Sequence, residues 1–136
     1  MKAKKIEHIG IAVRSIDESL SFYENVLGLT CYKTETVVDQ KVKTAFLKIG
    51  DVKIELLEAT DPSSPVAKFI EKKGPGVHHI AYQVEDTDAA LNHAKENDIK
   101  LIDEKGRLGA EEMQIGFLHP KSTEGVLTEF CSPKKK

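Results

Sequence analysis

A chain of 136 residues with 40% apolar content is long enough for one compact domain and short for two ordinary ones, so a single domain over residues 1–136 is expected. Twenty Lys and Arg against 22 Asp and Glu give a formal charge of -2, which argues against a protein that binds nucleic acid by neutralising many phosphates. No apolar run reaches the roughly 20 residues of a membrane span, and Cys31 and Cys131 have no C-x-x-C spacing, which speaks against a membrane protein, a disulfide framework and a zinc ribbon. Met1-Lys2-Ala3-Lys4-Lys5 leads straight into a strand pattern, and the expectation is a soluble cytoplasmic protein.

That first strand runs from Ile6 to Val13. Alternation puts Ile9, Ile11 and Val13 on one face and His8, Gly10 and Ala12 on the other, so the histidine lies beside small residues that leave room for a ligand. Ser15-Ile16-Asp17-Glu18 has capping-box spacing, and Ile16, Leu20, Tyr23 and Leu27 mark a helix stripe that stops at Gly28. Strands follow near Thr30 to Val37, Val42 to Ile49 and Val52 to Leu57. Gly50-Asp51 reads as a two-residue type II′ turn, which fixes a register with Phe46 opposite Glu55 and Thr44 opposite Leu57. Ser64 and Pro65 then cap and begin a connecting helix over about 63–73, which Gly74-Pro75-Gly76 ends.

From Val77 the pattern repeats. Shifting the chain by 71 residues lays Ile6 on Val77, His8 on His79, Val13 on Val84, Asp17 on Asp88, Leu20 on Leu91 and Phe46-Leu47 on Phe117-Leu118. Asp86 takes the capping place of Ser15, and a helix runs toward Asn97. Strands are expected near Lys100 to Asp103, Met113 to Leu118 and Val126 to Phe130, with a loop over Arg107 to Glu112 and a solvated tail, Lys134-Lys135-Lys136. The fold class is therefore α+β: two tandem β-α-β-β-β modules, about 5–60 and about 76–132, related by a pseudo-twofold.

Each copy offers the same two metal-ligand types. His8 and His79 occupy equivalent places on the first strands, and Glu55 and Glu129 sit among apolar neighbours on the last strands, once a three-residue turn insertion is allowed before Glu129. Two imidazoles and two carboxylates form a complete donor set for one divalent cation. Alternation turns His78 away from this set toward the helix face, His93 lies on an exposed helix side, and His119 stands at a turn where it is a candidate substrate contact.

These stretches carry a resemblance. His8-Ile9-Gly10-Ile11-Ala12-Val13, Phe22-Tyr23 with Leu27-Gly28-Leu29, Gly50 to Glu58, Ser64 to Phe69, Val77-His78-His79-Ile80-Ala81 and His119-Pro120-Lys121-Ser122 with Gly125-Val126-Leu127 resemble the vicinal oxygen chelate superfamily. Within it the chain is most similar to the methylmalonyl-CoA epimerase family, of which the Ser64-Pro65 helix and the His119 turn are the more specific marks. The resemblance implies a half-open barrel around one metal ion, held by His8, Glu55, His79 and Glu129. It implies an isomerase of propionate metabolism that inverts C2 of an acyl-CoA by proton abstraction through a metal-chelated enolate, working as a homodimer. Mixed imidazole and carboxylate donors suit cobalt, manganese, nickel or zinc. By the same analogy Glu129 is a candidate proton carrier. Some epimerases carry a second glutamate where this chain has Thr44, which leaves Thr44 a candidate substrate contact and the second base unassigned. Gly109-Ala110-Glu111-Glu112 also departs from the His-Gly that commonly follows the Gly-Ala pair in those epimerases. A glyoxalase I-like lactoylglutathione lyase is the alternative. An iron dioxygenase, against which a fourth ligand argues, and a non-catalytic small-molecule binder rank lower.

Overall fold

Residues 1–134 are described by the structure, a computed structural model; Lys135 and Lys136 of the basic tail lie outside the described residues. Contacts divide the chain into two compact units, one of residues 8–78 and one of residues 1–7 with the chain from His79 onward.

The first unit is built on four strands in the order β2-β3-β4-β1. They are β1 (Lys5–Ala12), β2 (Cys31–Val37), β3 (Val42–Ile49) and β4 (Val52–Ala59), with α1 (Ile16–Leu20) after β1 and α2 (Pro65–Lys73) after β4. The Gly50 turn sets the register as its chemistry requires. Gly50 has φ +58 while Asp51 stays outside the left-handed region, and Phe46 pairs with Glu55 and Thr44 with Leu57. β1 joins β4 in parallel, with Gly10 beside Glu55 and Ala12 beside Leu57. Val13, Ile16, Ala45, Leu47 and Leu56 form a core on the α1 face. On the α2 face, Ala12 packs with Val42, Leu57 and Val66, so it fills core and does not line open space; among the small residues of β1, Gly10 alone stands beside Glu55.

Helix ends follow the capping chemistry with one exchange. The Ser15 hydroxyl accepts from Glu18 N at 3.2 Å, and the Ile16 N–H donates to Glu58 Oε1 at 2.7 Å, so a glutamate from β4 supplies the second cap. Past Leu20 the helix widens into a π turn over Ser21–Val26, with the Leu27 N–H on the Phe22 carbonyl at 3.1 Å. The extra residue in that turn rotates Leu27 out to 48% exposure, and Leu29 packs in its place. The stripe expected from a constant 3.6 period fails at this point.

In the second unit the strand order is β5-β8-β7-β6. The elements are β5 (Gly76–Gln83), α3 (Thr87–Glu96), β6 (Arg107–Leu108), β7 (Met113–Leu118) and β8 (Thr128–Pro133), so both units read β-α-β-β-β. Val84, Ala90, Leu91, Ala94, Leu118 and Phe130 form the core under α3. Asp86 caps α3 by accepting from Ala89 N, and buried Thr87 is tied to β8 and β7 through Ser132 Oγ at 2.7 Å and the Gln114 carbonyl at 3.0 Å.

Three expected boundaries move. Lys100 to Asp103 is not a strand: Leu101 alone bridges Leu118, because the Ile102 and Asp103 N–H groups both turn onto the Phe117 carbonyl. Arg107–Leu108, expected in a loop, pairs with β7 instead, and the short 3₁₀ turn of residues 110–112 follows it. β8 begins at Thr128 because Val126 is still held in a turn, its N–H on the Thr123 carbonyl and its carbonyl accepting from Thr123 Oγ1. Among the described residues no helix is long and apolar enough to cross a membrane.

Candidate metal centre

In the first unit, β1 and β4 bring His8 and Glu55 together. His8 shares a face with Gly10, and Gly10 is the parallel neighbour of Glu55, so the glycine opens space through which imidazole and carboxylate meet. His8 Nδ1 lies 3.1 Å from Glu55 Oε2, and both side chains are buried. The second unit repeats the device with Ala81 in the place of Gly10: Ala81 pairs with Glu129, and His79 Nε2 lies 3.3 Å from Glu129 Oε1, again in buried surroundings. Glu129 is clamped from both sides, because β8 pairs with Ala81 of β5 and with Phe117 of β7.

The donor chemistry fits a cation. Carboxylate and imidazole donors sharing one ion at about 2.1 Å in an octahedral arrangement stand about 3.0 Å apart, and these pairs stand 3.1 and 3.3 Å apart. The four fall in two groups of buried donors that could hold a metal ion, not in one: His8 and Glu55 belong to a group that also includes Glu7, and His79 and Glu129 belong to the other.

An aromatic ring packs against the second pair. Phe117 meets the His79 ring edge-on at 5.5 Å, and the Arg107 guanidinium lies over Phe117 at 5.7 Å from its centroid. In the first unit Phe46, the cross-strand partner of Glu55, carries Lys33 Nζ at 5.6 Å. Phe46 and Phe117 are the same position of the two copies, so the repeat includes a cation over each ring.

The remaining sequence candidates fall in different places. Thr44 is buried on the Glu55 face of β3, opposite Leu57 on one side and Glu35 on the other. His119 is half-buried and caps the turn of residues 120–122: its Nδ1 accepts from Lys121 N at 3.0 Å, so its Nε2 carries the proton of the neutral ring. His78 packs edge-on against Phe69 of α2 at 5.0 Å, and burial pushes its pKa below the ordinary value. His93 is exposed, as expected. Glu111 and Glu112, in the loop that departs from the epimerase pattern, both adopt left-handed backbone, with φ of 55 and 58. Sequence reasoning missed Lys33 and Arg107, since both lie on edge strands whose pairing no tight turn declares; their correspondence becomes visible once Phe46 and Phe117 are aligned.

Comparison with known proteins follows this geometry. Residues 7–117 match the model of the glyoxalase/bleomycin resistance protein/dioxygenase superfamily. The chain is 48% identical over 130 residues to the uncharacterized protein YqjC of Bacillus subtilis, covering 96% of this chain and 93% of that one. It is 34% identical over 126 residues to the mitochondrial methylmalonyl-CoA epimerase of Homo sapiens, covering 92% of this chain and 72% of that one. A solved methylmalonyl-CoA epimerase in complex with methylmalonyl-CoA and NH4+ superposes with a TM-score of 0.93 at 36% identity, covering 97% of this chain and 96% of that one. The chain therefore belongs to the glyoxalase/bleomycin resistance protein/dioxygenase superfamily and, within it, to the methylmalonyl-CoA epimerase family.

Proposed function

We propose that this chain interconverts the two C2 epimers of methylmalonyl-CoA, and that His8, Glu55, His79 and Glu129 together hold one divalent metal ion. The observation that carries the reading is the duplicated pair: a buried imidazole and carboxylate at metal-sharing distance, built twice from equivalent strands with a small residue beside each glutamate. Kinship with an epimerase solved with methylmalonyl-CoA supports the acyl-CoA substrate. Homodimeric assembly, by family analogy, and a cytoplasmic location, from the sequence expectation, belong to the same reading.

When bound, the ion would supply Lewis-acid stabilisation to the charge that develops on the thioester oxygen. The chain's own residues do the rest. Glu129 takes the C2 proton: its backbone is fixed between two neighbouring strands, and its burial keeps water from competing for the proton. Phe117 holds the His79 ring in one orientation beside that carboxylate. Gly10 and Ala81 keep the two His/Glu faces free of bulk.

Proton exchange at C2 tests the function. Metal-loaded protein in deuterated water is expected to place deuterium at C2 of methylmalonyl-CoA and to interconvert its epimers. Absence of both, together with turnover of a glutathione hemithioacetal, would replace the epimerase with a lactoylglutathione lyase.

A further inference from the structure

Lys33, Lys48 and Lys53 share one face of the first unit with His8 and Glu55, and the strand register places them. His8 of β1 lies beside Lys53 of β4, and Lys53 lies directly opposite Lys48 of β3. Neighbours across a sheet point to the same side, so both lysines stand on the His8 face. The next row, two residues or about 7 Å along the strands, is Gly10, Glu55, Phe46 and Lys33. In the row after that Ala12 lies beside Leu57, and there Val66 of α2 packs on the face. The face therefore runs from an apolar end closed by α2, through buried Glu55 and His8, to an end where Lys53 is half-buried and Lys48 is exposed.

Lys48 opposite Lys53 opposes the pairing of its own hairpin. Directly opposite residues hold their Cβ atoms about 4.5 to 5.5 Å apart, and like charges there destabilise the strand pair. Natural sequences break local rules of this kind at functional sites, and an anion between the two ammonium groups turns repulsion into attraction. Lys33 adds a positive charge one row further in. Its Nζ lies 5.6 Å from the Phe46 ring centroid and 3.9 Å from Glu35 Oε2, so it is already balanced in part. Position selects the kind of anion. A carboxylate that meets the buried His8–Glu55 pair belongs deep in the face, whereas the open end suits the far end of a long ligand, which in an acyl-CoA carries phosphates. Lysine binds phosphate as a compact point charge.

We propose that Lys48 and Lys53, flanked by Lys33, bind the phosphate groups of the coenzyme A moiety. The proposal rests on the epimerase reading.

Calorimetric titration of metal-loaded protein tests it, with wild type, the double variant Lys48→Gln/Lys53→Gln and Lys72→Gln, which removes an exposed charge in the last turn of α2. Two probes separate phosphate from carboxylate. Propionyl-CoA has the phosphates and no free carboxylate, and methylmalonyl-pantetheine has the free carboxylate and no phosphate. The double variant should bind propionyl-CoA more weakly by about tenfold or more, and methylmalonyl-pantetheine within about twofold of wild type. Lys72→Gln should bind both within about twofold. Without ligand, Lys48→Gln should raise Tm by about 1 to 4 °C, because the cross-strand repulsion is gone. Binding of propionyl-CoA by the double variant within about twofold of wild type overturns the proposal. So does an equal loss for the two probes, an equal loss in Lys72→Gln, or a lower Tm for Lys48→Gln. The epimerase reading fails separately, if wild-type protein does not interconvert the two epimers of methylmalonyl-CoA.

Discussion

Gly116→Ala tests how the strand beside Glu129 is held against α3. A Cβ at position 116 would lie 2.6 Å from Leu91 Cδ1, 3.1 Å from Cδ2 and 3.2 Å from Cγ. Normal carbon contacts lie near about 3.5 to 4.0 Å, so an approach of about 1 Å must be relieved. Leu91 is fully buried, and because all three of its branch atoms crowd the new methyl, rotation of the isobutyl end does not clear it. The helix or the strand must give way, at an over-packing cost of about 1 to 3 kcal/mol. For a domain of this size the loss in Tm is about 3 to 12 °C. The strain is transmitted to function because Gly116 pairs with Phe130 and its neighbour Phe117 pairs with Glu129. Thermal unfolding of a double-mutant cycle with Leu91→Ala measures it. Leu91→Ala alone costs about 2 to 5 kcal/mol for the cavity, but on that background Gly116→Ala should be neutral or stabilising. An equal cost of Gly116→Ala in both backgrounds, or an unchanged Tm in the single variant, would refute the steric argument.

Glu58→Ala removes the charged acceptor of the Ile16 N–H and should destabilise the protein by about 1 to 3 kcal/mol in chemical denaturation, while Glu18→Ala should cost less than half of that. Ser64→Ala removes the cap of α2, a buried hydroxyl accepting from Val66 N at 3.2 Å, and should cost about 1 kcal/mol, with Ser64→Asp recovering part of it. Asp61 accepts hydrogen bonds from the Ser63 side chain and backbone, which hold its pKa below the ordinary 3.8. A depressed folded-state value means that its contribution is present above that ordinary value and is lost as pH falls through the folded one. A carboxyl NMR titration should therefore find the Asp61 midpoint below 3.8, and Ser63→Ala should raise it; a midpoint that does not move would show that the side-chain bond is not the cause.

Which features the sequence declared depended on whether the chemistry that creates them is local. The Gly50 turn fixed the β3–β4 pairing because two residues leave no alternative register, and Ser15, Ser64 and Asp86 marked helix starts through their own hydroxyls and carboxylate. His8, His79, Glu55 and Glu129 stood out because duplication placed the same chemistry twice. The π turn was not legible, since no residue type announces it, and through it Leu29 packs where Leu27 was expected. The kink after Leu101 depends on Asp103 accepting from Phe117 N, a partner 14 residues away, and the second cap of α1 comes from Glu58, 42 residues away. The face that β2 presents was hidden for a related reason. It follows from the β2–β3 register, which the loop between Val37 and Val42, with its left-handed residue at Lys41, does not fix by a known turn type.

The account's central claim is one metal ion held by two histidines and two glutamates. Its most direct test is X-ray absorption of the cobalt-loaded protein, combined with the cobalt content per chain. The predicted result is one cobalt per chain, with an outgoing-wave pattern of two imidazoles, falling to one imidazole or to no bound cobalt in His8→Ala and in His79→Ala. One cobalt with a single imidazole in the wild-type protein, or two independent cobalt ions each carrying one, would contradict it.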